Sequence, residues 1–294
     1  MLSTVLVALA ARSAPAQKSE LRQQIASIAA NAKGRVSVAC SLPGTALNCD
    51  LNPLAKPPMQ SVFKLPLALT ALHLVEQKKL SLDQAIRFRP EDRILPHVYS
   101  PLQDQYPEAG VDVSLRELLR MAVSLSDNIA ADIVLRVIGG PTAVNHYVES
   151  LGIRGYHMED NEAGLHRDVT AQYRNWFQPK AAVQLLRRLV DDPPLTPENA
   201  SLVLSWMRDT QRFPNRIKGL LPSGTLVMHK AGTSGTNNGV THATNDIGLI
   251  LLPDCRYLAI AVFVTDSQEA DEAARNAVLA QIAKAIYDAT ITSR

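Results

Sequence analysis

The chain has 294 residues, enough for one large domain or two closely packed ones, and its 46% hydrophobic and 20% charged residues are an ordinary globular balance. A net charge of +2, with Lys and Arg scattered along the chain, argues against a nucleic-acid or other polyanionic partner. No apolar run approaches the ~18 residues of a membrane-spanning helix. At the N-terminus, Val5 to Ala11 is apolar and Ala14-Pro15-Ala16 has the small-x-small form of a signal peptidase site. Residues 1–16 therefore read as a signal peptide or its remnant, implying a periplasmic or secreted protein whose fold begins near Gln17.

Leu21, Ile25 and Ile28 give Ser19–Ala30 the spacing of an amphipathic helix. RVSVACSL and TALNCDL alternate around Pro43-Gly44 and predict a β-hairpin, with Cys40 and Cys49 opposite each other. In an oxidising compartment that pair closes a disulfide; two reduced strand cysteines fit the spacing equally well. Cys255 sits in a turn beside Pro253-Asp254 and reads as a bystander. From Ser61 to Lys79 the pattern is helical and apolar enough for burial on nearly all sides.

Residues 80–113 read as loop and short helices, and Ser114 with Glu117 forms a capping box that opens a helix to about Val123. A second helix follows Asp127 and stops at Gly139-Gly140, and a third covers Pro141–Leu151. Residues 152–178 are polar and read as a long loop, a length commonly kept for function. Helices over Pro179–Val190 and Pro197–Asp209 precede three strand-like runs, TLVMHKAG, NDIGLILL and YLAIAVFVT, and a closing helix over 267–291. Strands and a helix at both ends with helices between predict a non-contiguous α/β domain (17–58 and 210–294) carrying an inserted helical domain (59–209). A site belongs in the cleft between them.

Four elements carry chemistry. Ser61 and Lys64 lie one turn apart on the same helix face, a nucleophile beside a potential proton acceptor at a helix N-terminus rich in free N–H groups. Ser126-Asp127-Asn128 lies in a turn between two helices, where a serine relays a proton and an asparagine binds an amide. Lys230-Ala231-Gly232-Thr233 lies on the first strand after the helical insert: the lysine supplies positive field, Gly232 permits close approach, and the Thr233 N–H completes an oxyanion hole with that of Ser61. Glu162, in the long loop, is a carboxylate able to activate water. Each has a bland reading: Ser-x-x-Lys arises by chance about once in such a chain, Ser and Asp cap helices, and loop glutamates are usually just solvated.

Ser-x-x-Lys, Ser-Asp-Asn and Lys-x-Gly in this order resemble the class A serine β-lactamases and penicillin-binding proteins. The resemblance to class A β-lactamases covers nearly the whole mature chain, including Tyr99-Ser100-Pro101 at the cleft edge and the Glu-x-x-Leu segment of the Ω-loop. NEAGLH, RIKGLLP and HKAGTSG are most similar to the PER- and VEB-like extended-spectrum branch. The resemblance implies an α+β fold, with an antiparallel sheet flanked by N- and C-terminal helices beside an all-helical domain. It further implies a small β-lactam, a penicillin or cephalosporin, as the partner of a monomer that needs no cofactor or metal.

Carried over, Ser61 attacks the lactam carbonyl, and Lys64, or Glu162 through water, takes its proton. Ser126 protonates the ring nitrogen with support from Lys230. Glu162 then activates the deacylating water, while Tyr99, Asn128, His166, Gly232, Thr233 and Ser234 bind substrate.

Three departures stand out. Ala231 replaces the usual Thr or Ser, removing a hydroxyl donor to the substrate carboxylate. Asp160 replaces the arginine that usually anchors the Ω-loop, which is then held differently. The carboxylate-binding arginine has no counterpart on strand 246–252, leaving Arg216 as a candidate. The alternatives are a D,D-peptidase or penicillin-binding protein, against which Glu162 argues, and a β-lactam sensor that stays acylated.

Overall fold

Thirteen of the signal-peptide positions lie outside what the computed structural model describes, which is residues 14–96 and 98–292. Helix α1 (Ala14–Ala30) leads into strand β1 (Arg35–Ser41), and a 3₁₀ turn over Gln60–Phe63 runs directly into α2 (Lys64–Glu76). There follow β2 (Ala85–Phe88), α3 (Pro101–Gln105), β3 (Val111–Ser114), α4 (Leu115–Arg120), α5 (Asn128–Ile138) and α6 (Gly140–Ser150). The next stretch holds β4 (Tyr156–His157), α7 (Glu162–Arg167) and β5 (Trp176–Phe177). Helices α8 (Pro179–Asp191) and α9 (Pro197–Arg208) precede β6 (Val227–Thr233), β7 (Thr236–Asn237), β8 (Val240–Leu251), β9 (Tyr257–Ser267) and α10 (Glu272–Thr292).

The main sheet is antiparallel in the order β1-β9-β8-β6, with β7 paired to β8. Side chains alternate across it, so β9 sends Leu258, Ile260, Val262 and Val264 to one face and Ala259, Ala261 and Phe263 to the other. The first face packs on α1 and α10 through Leu21, Ile25, Val278, Ile282 and Ile286; the second packs on the helices around α2 and α5. Ile282 and Ile286 are fully buried, each contributing about 1.5–3 kcal/mol. Burial on both faces is why YLAIAVFVT reads as a continuous apolar run. Helix α2 is likewise buried along Lys64–Leu72, as its composition predicts.

Several sequence expectations are corrected. The 35–51 hairpin forms only in part: β1 pairs along its whole length with β9, and TALNCDL runs antiparallel on its other edge with a single backbone bridge, Val38–Leu51, and no continuous ladder. Local bonds fold that segment instead, Thr45 Oγ1 donating to Leu42 O (2.7 Å) and Asp50 N to Asn48 Oδ1 (3.1 Å), which competes with a ladder. Cys40 and Cys49 nevertheless form a disulfide, and Cys255 is an exposed free thiol.

Residues 80–113 contain a strand pair, β2 with β3, that prolines and sequence distance hide. The long loop is pinched at its neck by β4 with β5. At Ser114 only half of the capping box exists: Ser114 Oγ accepts from Glu117 N, while the Glu117 carboxylate pairs with Arg120.

Candidate active site

Ser61 lies in the 3₁₀ turn that opens α2, where the first backbone N–H groups have no helical partner. One turn on, Lys64 is fully buried, and its ammonium is the hub of the site. Nζ donates to Ser61 Oγ (2.9 Å), Ser126 O (2.9 Å) and Asn128 Oδ1, and makes a 2.9 Å ion contact with Glu162 Oε1. Four residues from three elements thus meet at one nitrogen.

Ser126 ends a π-helical turn (Met121–Leu125) in the left-handed conformation, φ 59° and ψ 31°, which costs a non-glycine residue about 1–3 kcal/mol. The strain is held by its neighbour. Asp127 is fully buried and accepts from Ser100 Oγ (2.8 Å), Ala130 N (2.9 Å) and Leu102 N (2.7 Å), tying the Tyr99-Ser100-Pro101 edge to the turn and capping α5. Burial pushes its carboxyl upward, opposed by these hydrogen bonds. Tyr99 is exposed, and its carbonyl accepts from Asn128 N (3.3 Å).

Across the cleft, Lys230 Nζ donates to Ser126 Oγ (2.9 Å) and Ala231 O (3.0 Å). Burial first, and then the charge of Lys64, pull its ammonium well below the usual lysine range. The register of β6 on β8 aims the next N–H group. Ser234 N donates to Ala243 O (3.0 Å), so Thr233, opposite Thr244, is a non-hydrogen-bonded position and its N–H points off the open edge of β6. That edge faces the Ser61 turn. A Cβ on Gly232 would lie 2.5 Å from Met59 O and 3.2 Å from Ser61 N, so this glycine admits the chain's own backbone, a role sequence alone assigns to substrate. Ser234 lines the pocket, but its hydroxyl is occupied, accepting from Ala243 N and donating to Gly235 O.

The cleft pocket, about 340 Å³, is lined by Ser61, Asn128, Glu162, His166, Thr233 and Ser234 among others. His166 is exposed on its rim. Ala231 is buried on β6, and no hydroxyl stands there.

Positioning residues hold these groups, and of them the sequence singled out only Arg216 and Asp160, neither in the role it plays here. Asn245 on β8 donates to Pro58 O (2.8 Å) and Met59 O (3.3 Å), fastening the Ser61 turn to the sheet. Arg216, fully buried, donates to Asn276 Oδ1, Gly232 O, Asn245 O and Thr233 Oγ1; burial brings its guanidinium down to about 10. Asp160 takes a two-pronged contact from Arg174 (2.8 Å each), an ion pair with the carboxylate where an arginine was expected. Asn175 accepts from Glu159 N and Asp160 N and donates to Asp160 O.

Asp132 on α5 accepts from Asn161 Nδ2 (2.8 Å), Glu162 N (2.8 Å) and Ala163 N (2.9 Å), so it holds the start of α7. Burial and the nearby Glu162 charge push its carboxyl up to about 7 against those donors. Between about pH 4 and 7 the folded state therefore keeps a proton that the unfolded chain has released, and stability falls as pH rises, by at most about 1.4 kcal/mol per unit. Asp132→Asn is expected to remove this component. Urea titrations of both proteins across that window check it, and a parent-minus-variant difference that does not change with pH counts against it.

Residues 20–290 match the family described as the β-lactamase enzyme family. The chain is 40% identical over 283 residues to the extended-spectrum β-lactamase PER-1 of Pseudomonas aeruginosa, covering 96% of this chain and 91% of that one. It is 38% identical over 233 residues to β-lactamase VEB-1 of the same organism, covering 79% and 77%. Among solved structures, a β-lactamase from Chitinophaga pinensis superposes with a TM-score of 0.88 at 39% identity, over 92% of this chain and 99% of that one. A class A β-lactamase from Bacteroides cellulosilyticus superposes with a TM-score of 0.86 at 32% identity, over 94% and 99%. Agreement over almost the whole length in both sequence and fold makes this chain a member of the class A β-lactamases, hydrolases of the β-lactam amide.

Proposed function

We propose that hydrolysis proceeds through an acyl-enzyme on Ser61, with each step assigned as follows. The carrying observation is that Lys64 Nζ lies 2.9 Å from both Ser61 Oγ and Glu162 Oε1. Lys64 gives one proton to the Glu162 carboxylate and takes that of Ser61 as the hydroxyl oxygen attacks the lactam carbonyl. The backbone N–H groups of Ser61 and Thr233 stabilise the oxyanion. Ser126, held by Lys230, gives its proton to the ring nitrogen as the amide bond breaks; Lys64 then passes the proton taken from Ser61 to Ser126 and recovers its own from Glu162, which is a carboxylate again. Glu162 then takes a proton from the water that attacks the ester, which releases Ser61. Arg216 donates to Thr233 Oγ1, which leaves that hydroxyl's own proton free for substrate and offsets the missing hydroxyl at Ala231.

The name of PER-1 carries the description extended-spectrum, and we assign the same breadth to this chain, acting on penicillins and cephalosporins as a resistance enzyme. Its two hydrophobic clusters, one on each face of the sheet, support units 17–58 with 210–294 and 59–209. The apolar 1–16 stretch and the Cys40–Cys49 disulfide support export to the periplasm or beyond. No helix among the described residues is long and apolar enough to cross a membrane.

Turnover of a chromogenic cephalosporin, followed together with intact mass, tests the mechanism. Many turnovers per protein are expected, and Ser61→Ala should abolish them. A single stoichiometric adduct that never turns over assigns the chain to the acylated sensors instead.

A further inference from the structure

Lys64 and Lys230 both donate to Ser126 and are used by the mechanism above, and a third cation nearby is not. It is Arg212, in the segment between α9 and β6. Its backbone N donates to Thr210 Oγ1 (3.3 Å), and that hydroxyl donates to Ser124 O (2.9 Å), which anchors the segment on the Ser126 turn. The guanidinium lies 4.3 Å over the ring of Tyr99 and 4.8 Å from that of Phe213, a planar cation held between two aromatic faces. Phe213 adopts a left-handed backbone (φ 54°), and Arg216 stacks on it at 3.8 Å. The Nε atom of Arg212 is buried without a hydrogen-bond partner, and among the described residues no carboxylate pairs with this side chain. Its charge lies close enough to Lys230 to add to the field that disfavours the Lys230 ammonium.

An unpaired guanidinium at a cleft edge is a waiting anion site, because its fork matches a carboxylate and stacking has already restricted its rotamers. β-Lactam substrates bring such an anion. Their ring carboxylate sits two bonds from the nitrogen that Ser126 protonates, so it must fall beside Ser126 and Lys230. The other arginine nearby, Arg216, is fully buried with four of its five N–H groups already donated to Asn276, Gly232, Asn245 and Thr233. Ala231 offers no hydroxyl there. We propose that Arg212 is the side chain that receives the substrate's ring carboxylate, with Tyr99 and Phe213 as the clamp that presents it.

This assignment rests on the role of Ser126 proposed above, so its test is built to fail separately. A cephalosporin carrying the free ring carboxylate is compared with its methyl ester, on the parent, on Arg212→Gln, which keeps a planar stackable group without charge, and on Arg212→Lys. For the free acid, Arg212→Gln is expected to lower kcat/KM about ten- to a hundred-fold. The ester should change less than two-fold, and Arg212→Lys should recover part of the loss. Raising the salt concentration should slow the parent on the free acid and leave Arg212→Gln nearly insensitive.

Equal losses on acid and ester, or no loss on either, overturn the assignment. Calorimetric binding of acid and ester in the Ser61→Ala background, with and without Arg212→Gln, reads the same preference without turnover. If the parent turns over neither substrate, the catalytic scheme has failed. The acid-over-ester preference still decides Arg212: present and abolished by Arg212→Gln, it supports the site; absent, it rejects it.

Discussion

Glu162→Gln is expected to leave Ser61 acylated, with turnover reduced about 10²–10⁴-fold. The substitution keeps the volume and one acceptor oxygen and removes the base. Acylation is slowed but retains Lys64, whose Nζ is 2.9 Å from Ser61 Oγ and accepts that proton once its own has been lost to solvent. Deacylation has no such reserve. The other carboxylate beneath the loop, Asp132, has its oxygens occupied by N–H donors from Asn161, Glu162 and Ala163, and does not face the pocket formed by Ser61 and His166. Intact mass during reaction should show one substrate mass retained on nearly all of the protein, after a burst of about one equivalent. Deacylation at the parent rate would remove Glu162 from the role assigned to it.

Lys64→Met should do more damage, because it acts on both chemistry and stability. The side chain is fully buried, and its ammonium satisfies Ser126 O, Asn128 Oδ1 and the nearly buried Glu162 carboxylate. Breaking such a pair leaves an uncompensated charge, at a cost of about 3–5 kcal/mol. In a chain of this size that corresponds to a fall in Tm of roughly 10 °C. Acylation should become undetectable on the parent's timescale. A variant that melts with the parent, or acylates as fast, would show that Lys64 is neither the hub nor the acceptor.

Much of this was legible locally. The Ser61–Lys64 spacing, the stop at Gly139, the Asp127 cap on α5 and the three long strands follow from periodicity and from side chains acting within a few residues of themselves. Those are short-range rules, and the sequence states them directly. Ser61, Lys64, Ser126, Glu162 and Lys230 are legible only as a set, through the resemblance of their motifs to the class A β-lactamases. The 35–51 hairpin is realised only in part. Val38–Leu51 and Cys40–Cys49 keep the expected opposition, but local bonds of Thr45 and Asn48 replace a continuous ladder, and β1 finds its full-length partner in β9, more than two hundred residues away.

What only the tertiary structure decided is how those groups are aimed. Asn245 fixes the Ser61 turn from 187 residues away, and Asp132 holds Glu162 from 30. Gly232 meets Met59 rather than substrate, and Thr233 presents its N–H because of the register of β6 on β8. Arg216 is consumed by the interior, while Arg212, unremarkable in sequence, stands stacked and unpaired beside Ser126. Strand register and buried hydrogen-bond partners are properties of chain segments meeting in space, and no local pattern encodes which segments will meet. The sequence by itself names the groups proposed to react; the packing of β6, β8 and α5 around them determines their geometry.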